Sequence, residues 1–440
     1  MIILGLVINP YSLSWLFSND GKITSWTVFS TIIILQLALV LFGVATFNSR
    51  ENKLFPKIGL AVVSTLFTVL LLIGCDRFYG EFLMPDTAQL LFPAFSQAEH
   101  NTSEFELDVK INNLGFRGAN TTIKKTKKRV LLIGDSFTFG WGVELQETWV
   151  NLLAKQHPEI EFLNLGQGGN HPGDYVRVSK NAIPLLKPDL IMVCVLTGND
   201  IHQLMRVIEH KNDLKKSEPA VIGEEAFNDR LKRYLCIAIP NFSKRFPARA
   251  SIKKRWLKEA KKLLNEFSEN QTTKYQTLPT HIKKSFESGQ LNPSLVYESL
   301  HHPSLFLEAA DTSSSLCKKA IIRLHDHLQE IEKMAQENEA KTIIVSLPNR
   351  PYGFKSEIVP LTELGFNVDG ADTLLGKLPT QLAVYQTEIT TICPSIKDDS
   401  LFYKYDGHWN AEGNRIFARE LINELNNSPE WKHFLTSSNF

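Results

Sequence analysis

Cysteine is scarce in this chain, with five among 440 residues, at Cys75, Cys194, Cys236, Cys317 and Cys393. Their spacing matches no zinc-ligand pattern, and so sparse a set makes no disulfide framework. Cys194 stands inside an apolar run and reads as a small core residue. The adjacent pair His301-His302 lacks the helical spacing of a zinc pair and reads as a loop. No metal and no cofactor is expected. Net charge is scarce too: 48 Lys and Arg stand against 47 Asp and Glu, a formal +1, which speaks against nucleic acid as a partner. The basic stretch Lys124–Arg129 then reads as a solvated approach to the strand that follows. Internal repeats and low-complexity tracts are also missing, and 43% apolar with 22% charged residues is ordinary globular composition.

Two long runs in the first fifth of the chain lack charge. Residues 26–47 contain none and are long enough to cross a bilayer core as a helix, and residues 58–75 form a second, shorter run. Two transmembrane helices are expected there, with the weaker apolar stretch 1–17 broken at Asn9-Pro10. Arg50, Lys53 and Lys57 lie between the spans, whereas only Lys22 precedes the first. By the positive-inside rule that loop is cytoplasmic and everything past Cys75 is extracytoplasmic, with Arg77 as the one residue that pulls the other way. Leu72-Ile73-Gly74-Cys75 resembles a lipoprotein signal ending at a lipidated cysteine, but it sits behind another span, where such a signal does not belong. The expected location is a bacterial inner or plasma membrane, through an anchor over residues 1–76.

Residues 77–128 have mixed polarity and read as a connector. Beyond them, Val130–Ile133, Glu161–Leu165, Leu190–Leu196 and Thr342–Leu347 are short, almost continuously apolar runs, the pattern of parallel strands buried on both faces. Before the fourth, Leu316, Ala320, Leu324, Leu328, Ile331 and Ala335 recur at helical spacing behind Asp311-Thr-Ser-Ser-Ser. Phe417, Leu421 and Leu425 do the same near the end, with Asn410 as N-cap. Alternating strands and helices predict an α/β fold with a doubly wound, flavodoxin-like parallel sheet over residues 129–440. Residues 201–310 interrupt the rhythm without clear strands. Within them, residues 253–267 form an amphipathic basic helix, so the insertion is either a cap over the site or a decoration on the main domain.

The run Arg129–Ile133 stops at Gly134-Asp135-Ser136, which places the Ser136 hydroxyl at the carboxyl edge of the sheet, where open α/β folds keep their ligand crevice. A serine hydroxyl is a poor nucleophile until a base takes its proton, and a carboxylate must hold that base in the correct tautomer. Asp406-Gly407-His408 supplies both groups, and Gly407 permits the turn that lets them meet. Asp135 and Asp200 read as local backbone caps. Trp409 either lines the pocket or packs under the histidine loop.

In these motifs the chain resembles the SGNH hydrolases, or GDSL esterases, across about residues 112–425. Gly134-Asp-Ser-Phe-Thr-Phe-Gly140 matches the first family block, and Asn164-Leu-Gly-Gln-Gly-Gly169 resembles the second. Thr197-Gly-Asn-Asp200 matches the third, and Asp406-Gly-His408 resembles the last. Asn113-Leu-Gly-Phe-Arg-Gly118 is similar to the lead-in of many bacterial members. The resemblance implies Ser136 as nucleophile with His408 and Asp406 as base and acid. It also implies an oxyanion hole made by the backbone N–H groups of Ser136 and Gly169 and by the Asn199 amide. Two departures stand out. Phe137 replaces the usual leucine, and the acid lies two residues before the histidine instead of three. The shorter spacing is similar to alginate-type O-acetyltransferases. The expected function is a serine esterase acting on acyl, chiefly O-acetyl, esters of an envelope carbohydrate. The alternatives are an O-acetyltransferase supplied by a membrane acetyl-donor partner and a catalytically silent glycan-binding or assembly module.

Overall fold

The computed structural model describes residues 88–209, 249–348, 358–368 and 398–436, with scattered residues over 59–86 and 389–396. The expected span 26–47 lies outside the described residues. Of the expected span 58–75, Ser64, Thr65 and Leu71–Cys75 are among those described, and they are helical. Among the described residues no helix is long and apolar enough to cross a membrane. The chain divides into two compact units, residues 1–84 with 226–243 and residues 85–225 with 244–440. The second carries every motif discussed above from Gly134 onward.

Its strands, in chain order, are β1 (Gln97–Asn101), β2 (Glu106–Lys110), β3 (Lys128–Gly134), β4 (Ile160–Gly166), β5 (Leu190–Val195), β6 (Arg249–Ser251), β7 (Lys341–Ser346) and β8 (Thr391–Ile392). Five of them form one parallel sheet in the order β4-β3-β5-β7-β8. Renumbered within that sheet the order is 2-1-3-4-5, the flavodoxin-like arrangement. The helices are α1 (Ser136–Phe139), α2 (Trp149–Gln156), α3 (Pro172–Leu186), α4 (Thr197–Glu209), α5 (Ile252–Glu266), α6 (Glu269–Thr277), α7 (Thr280–Glu287), α8 (Pro293–His301), α9 (Leu305–Ala310), α10 (Ser315–Glu337), α11 (Ile358–Glu363), α12 (Ala411–Leu425) and α13 (Pro429–Thr436).

Side chains alternate between the two faces of a strand, and both faces are covered here, so β5 is apolar throughout and β3 is apolar from Val130 to Ile133. Leu131, Ile133, Ile191, Val193 and Val195 enter a core with α3, α4 and α10. Val130, Leu132, Leu190, Met192 and Cys194 enter the opposite core with α2 and α12. Each such aliphatic side chain contributes about 1.5–3 kcal/mol by leaving water. The four expected strands each lie within two residues of an observed one. In α10 the expected stripe is buried except for Leu316, which is only partly covered.

The structure departs from the sequence reading in four places. The presumed connector 77–128 contains the antiparallel hairpin β1–β2, and β6 from the insertion joins it in a three-stranded sheet. Arg129 is fully buried instead of solvated, because its guanidinium finds Glu161 at 2.6 Å and the Leu186 carbonyl at 2.6 Å. The insertion starts later than residue 201, since Ile201, Leu204 and Met205 of α4 belong to the main core. Its own core, built from Tyr275, Ile282, Phe286, Val296 and Leu300, recruits Leu364 and Phe366 from beyond β7. Finally, His301 ends helix α8 instead of lying in a loop, and among the described residues no His, Cys, Asp and Glu cluster could hold a metal.

Candidate active site

Strand β3 ends at Gly134, and Asp135 caps the short helix α1 by accepting the Phe137 N–H at 3.0 Å. Ser136 is therefore the first helical residue after the strand, at the carboxyl edge of the sheet. Behind it, Arg117 from the Asn113–Gly118 lead-in is buried and donates to three carbonyls, those of Phe139 at 3.3 Å, Gly140 at 2.5 Å and Val143 at 2.6 Å. Burial pushes its guanidinium down to about 10, far above neutrality, so it remains a cation pinning the segment after the serine.

The histidine comes from a tight loop ahead of α12. Phe402 and Trp409 pair as an isolated bridge, the Tyr403 N–H donates to the His408 carbonyl at 2.8 Å, and Gly407 turns the chain at φ +79°. Only a residue without a Cβ takes that left-handed conformation freely. Asn410 caps α12 as expected, through the Gly413 N–H at 3.0 Å. Trp409 is buried and stacked on Phe417 at 4.3 Å, so it packs under the loop.

Ser136, His408 and Asp406 meet. His408 Nε2 lies 2.7 Å from Ser136 Oγ, and His408 Nδ1 lies 2.5 Å from Asp406 Oδ1. The second carboxylate oxygen, Oδ2, accepts from Trp141 Nε1 at 3.1 Å, and Phe137 lies along the imidazole with ring centres 4.6 Å apart. Burial works against the imidazolium, but the Asp406 charge and hydrogen bond, helped by the Asp135 charge, outweigh it and raise His408 above the ordinary histidine value. With Nδ1 committed to Asp406, Nε2 is the nitrogen that can take a proton from Ser136.

Asn199 stands in the first turn of α4, partly exposed. Its Oδ1 accepts from Gln203 Nε2 at 3.5 Å, and no acceptor for its Nδ2 is found among the described residues. Gly169 is left-handed at φ +82° with open space where a Cβ would stand, and a Cβ on neighbouring Gly168 would lie 3.8 Å from Ser136 Cβ. Gly168 thus lies beside the serine. Asp200 accepts the Leu196 N–H at 3.1 Å and the Tyr175 hydroxyl at 3.1 Å, a local cap as expected. Asp135 is also a cap, but its buried Oδ2 finds no hydrogen-bond partner among the described residues, and burial pushes the carboxyl up to about 6.

Trp141 and Glu104, which the sequence reading did not single out, complete the surroundings with Arg117, which stood in the quoted lead-in without a role of its own. The Gly140-Trp141-Gly142 triplet right after the serine motif was a usable signal. Glu104, whose carboxylate accepts the Asp406 N–H at 2.7 Å, carried none.

No family model and no curated protein matches the chain. Among solved structures, a member of the lipolytic protein G-D-S-L family from Veillonella parvula is 12% identical with a TM-score of 0.31, covering 67% of this chain and 97% of that one. The psychrotrophic esterase EstA from a Pseudoalteromonas species is 11% identical with a TM-score of 0.31, covering 68% and 98%. A GDSL-like lipase from Bacteroides thetaiotaomicron is 11% identical with a TM-score of 0.28, covering 67% and 86%. The α/β body on a five-stranded parallel sheet is read from this chain's own strands and helices.

Proposed function

We propose that the chain is a serine esterase of SGNH type that cleaves acyl esters, chiefly O-acetyl, on an envelope carbohydrate through an acyl-serine intermediate. The observation that carries this reading is the continuous relay Ser136 Oγ, His408 Nε2, His408 Nδ1, Asp406 Oδ1, with both links at 2.7 Å or less. Ser136 Oγ attacks the ester carbonyl as His408 Nε2 takes its proton, and Asp406 stabilises the imidazolium. The carbonyl oxygen becomes an oxyanion, received by the N–H groups of Ser136 and Gly169 and by Asn199 Nδ2. Collapse breaks the bond to the alcohol, which leaves with the proton from His408. Water then adds to the acyl-serine with His408 again as base, releasing the acid and restoring Ser136.

The envelope substrate rests on the charge-free run 26–47, which would tether the active body to a membrane. A second reading, transfer of the acetyl group to a sugar hydroxyl supplied in place of water, is favoured by one observation, the two-residue spacing of Asp406 and His408. The test uses the full chain with a fluorophosphonate probe and a panel of acetyl esters, with and without a sugar acceptor. Wild type should label and release acetate, and Ser136→Ala should do neither while remaining folded. Acetylated sugar formed without net acid release would favour transfer, and wild-type protein inert to the probe would favour a silent binding module.

A further inference from the structure

The hairpin that replaced the expected connector reaches the triad. Its tip is a Thr102–Phe105 turn in which Thr102 Oγ1 accepts the N–H groups of Glu104 and Phe105, each at 3.1 Å. On its other side the Ser103 N–H donates to the Gln290 carbonyl of the insertion at 2.9 Å. Held at both points, the tip presents the Glu104 carboxylate to the triad loop. Glu104 accepts the Tyr405 N–H at both oxygens, 3.1 Å each, and the Asp406 N–H at Oε2, 2.7 Å. Consecutive peptide N–H groups converging on one carboxylate fix the backbone that bears Asp406. The next residue, Phe105, packs edge-on to Trp141 with ring centres 6.2 Å apart and lies against Tyr403 at 5.0 Å. Trp141 is the donor to Asp406 Oδ2. Residues 104 and 105 therefore support the acid from both sides, one through its backbone and the other through the indole bound to its carboxylate.

A loop cap on the surface would do with any hydrogen-bond acceptor. Glu104 is different, because burial and the nearby Asp406 charge both disfavour its ionised form, and the backbone N–H groups of the triad loop are what oppose them. We propose that Glu104 is a positioning residue for the acid of the triad, holding the Asp406 backbone so that its carboxylate meets His408 Nδ1. This inference rests on the reading of Ser136, His408 and Asp406 as a working triad.

Two variants of the full chain separate reach from charge. Glu104→Asp keeps the charge but falls one methylene short of the amides, whereas Glu104→Gln keeps the reach and one acceptor oxygen. Positioning predicts that Glu104→Asp lowers kcat on a soluble acetyl ester by about 10²-fold with KM little changed, since small misplacements of reacting groups have effects of that size. Glu104→Gln should lose only about 10-fold, by the same reasoning. In Glu104→Asp the acidic limb of the pH dependence of fluorophosphonate labelling should move to lower pH, because an Asp406 no longer held against His408 raises its pKa less. A lower melting temperature with wild-type kcat and an unmoved limb would overturn the inference and leave Glu104 a structural cap. Asp406→Asn is the control: if it slows labelling while the Glu104 variants do not, this inference alone fails. If Asp406→Asn labels like wild type, the triad reading fails and takes this inference with it.

Discussion

At His408 two opposing effects decide the chemistry. Burial disfavours the imidazolium, and the Asp406 carboxylate more than restores it, so the folded pKa lies above the ordinary histidine value. If His408 takes the Ser136 proton as proposed, it must be neutral to do so. Activity should therefore rise with pH through a midpoint above about 6.5, the unperturbed value. Asp406→Asn removes the raising charge and should move that midpoint down; a midpoint already below the ordinary value in wild type would contradict the electrostatics described here. Asn199 offers a separate test. Its Nδ2 is the donor end left over after Oδ1 meets Gln203. If that donor acts on the developing oxyanion, Asn199→Ala should lower kcat by about 10²–10³ with KM little changed. A loss of thermal stability with normal kcat would make Asn199 a helix residue only. Of the site residues, Ser136, Asp406 and His408 were legible because each sits in a short motif with local backbone meaning. Glu104 was not, because one acidic residue in a polar turn looks the same whether it faces water or a buried amide pair.

At the scale of elements, the segment that follows Ser136 is held by Arg117 from outside the sheet. Replacing that side chain with methionine would leave the carbonyls of Phe139, Gly140 and Val143 buried without their donor. Each orphaned acceptor costs about 1–3 kcal/mol, so Arg117→Met should destabilise the protein by more than about 3 kcal/mol in denaturant titration. A change below about 1 kcal/mol would mean that water replaces the guanidinium at little cost. The major strands and helices were legible because burial on both faces writes a continuous apolar run, and burial on one face writes a 3.6-residue stripe. The hairpin was not. Strand β2, Glu106-Leu-Asp-Val-Lys110, buries only Leu107 and Val109, and β6 is three residues long, too short for any period to show. Strand β6 is held by pairing with β1, whereas β2 pairs with β1 and also buries its alternating Leu107 and Val109 beside Phe139, an alternation too short to stand out in the sequence.

For the whole molecule, the expected anchor remains a statement about sequence. We propose that residues 1–76 hold the active body outside the cytoplasm, on the strength of Arg50, Lys53 and Lys57 between two apolar runs. A reporter active only outside the cytoplasm should be active when fused after Phe440 and silent when fused after Asn52. The reverse pattern would overturn the topology and the envelope substrate with it. The insertion shows a different long-range effect. Its helices α5 to α8 close their core only by drawing in Leu364 and Phe366, which follow β7. A polar, lysine-rich sequence with scattered aromatics does not announce that closure, because the apolar partners lie outside the segment.

The sequence by itself determined what depends on neighbours in the chain: strands that end at Gly134 and Gly166, caps at Asp135 and Asn410, and the left-handed turn at Gly407 between an acid and a histidine. Tertiary structure decided which distant groups meet. Ser136 and His408 are 272 residues apart in sequence and 2.7 Å apart in space, and Glu104 reaches Asp406 across 302 residues. Local preferences are set by sterics and hydrogen bonds within a few residues, so they leave a periodic or motif-level trace. Long-range contacts are set by how two buried faces close over one sheet, a property of all the packed residues together that no single segment encodes.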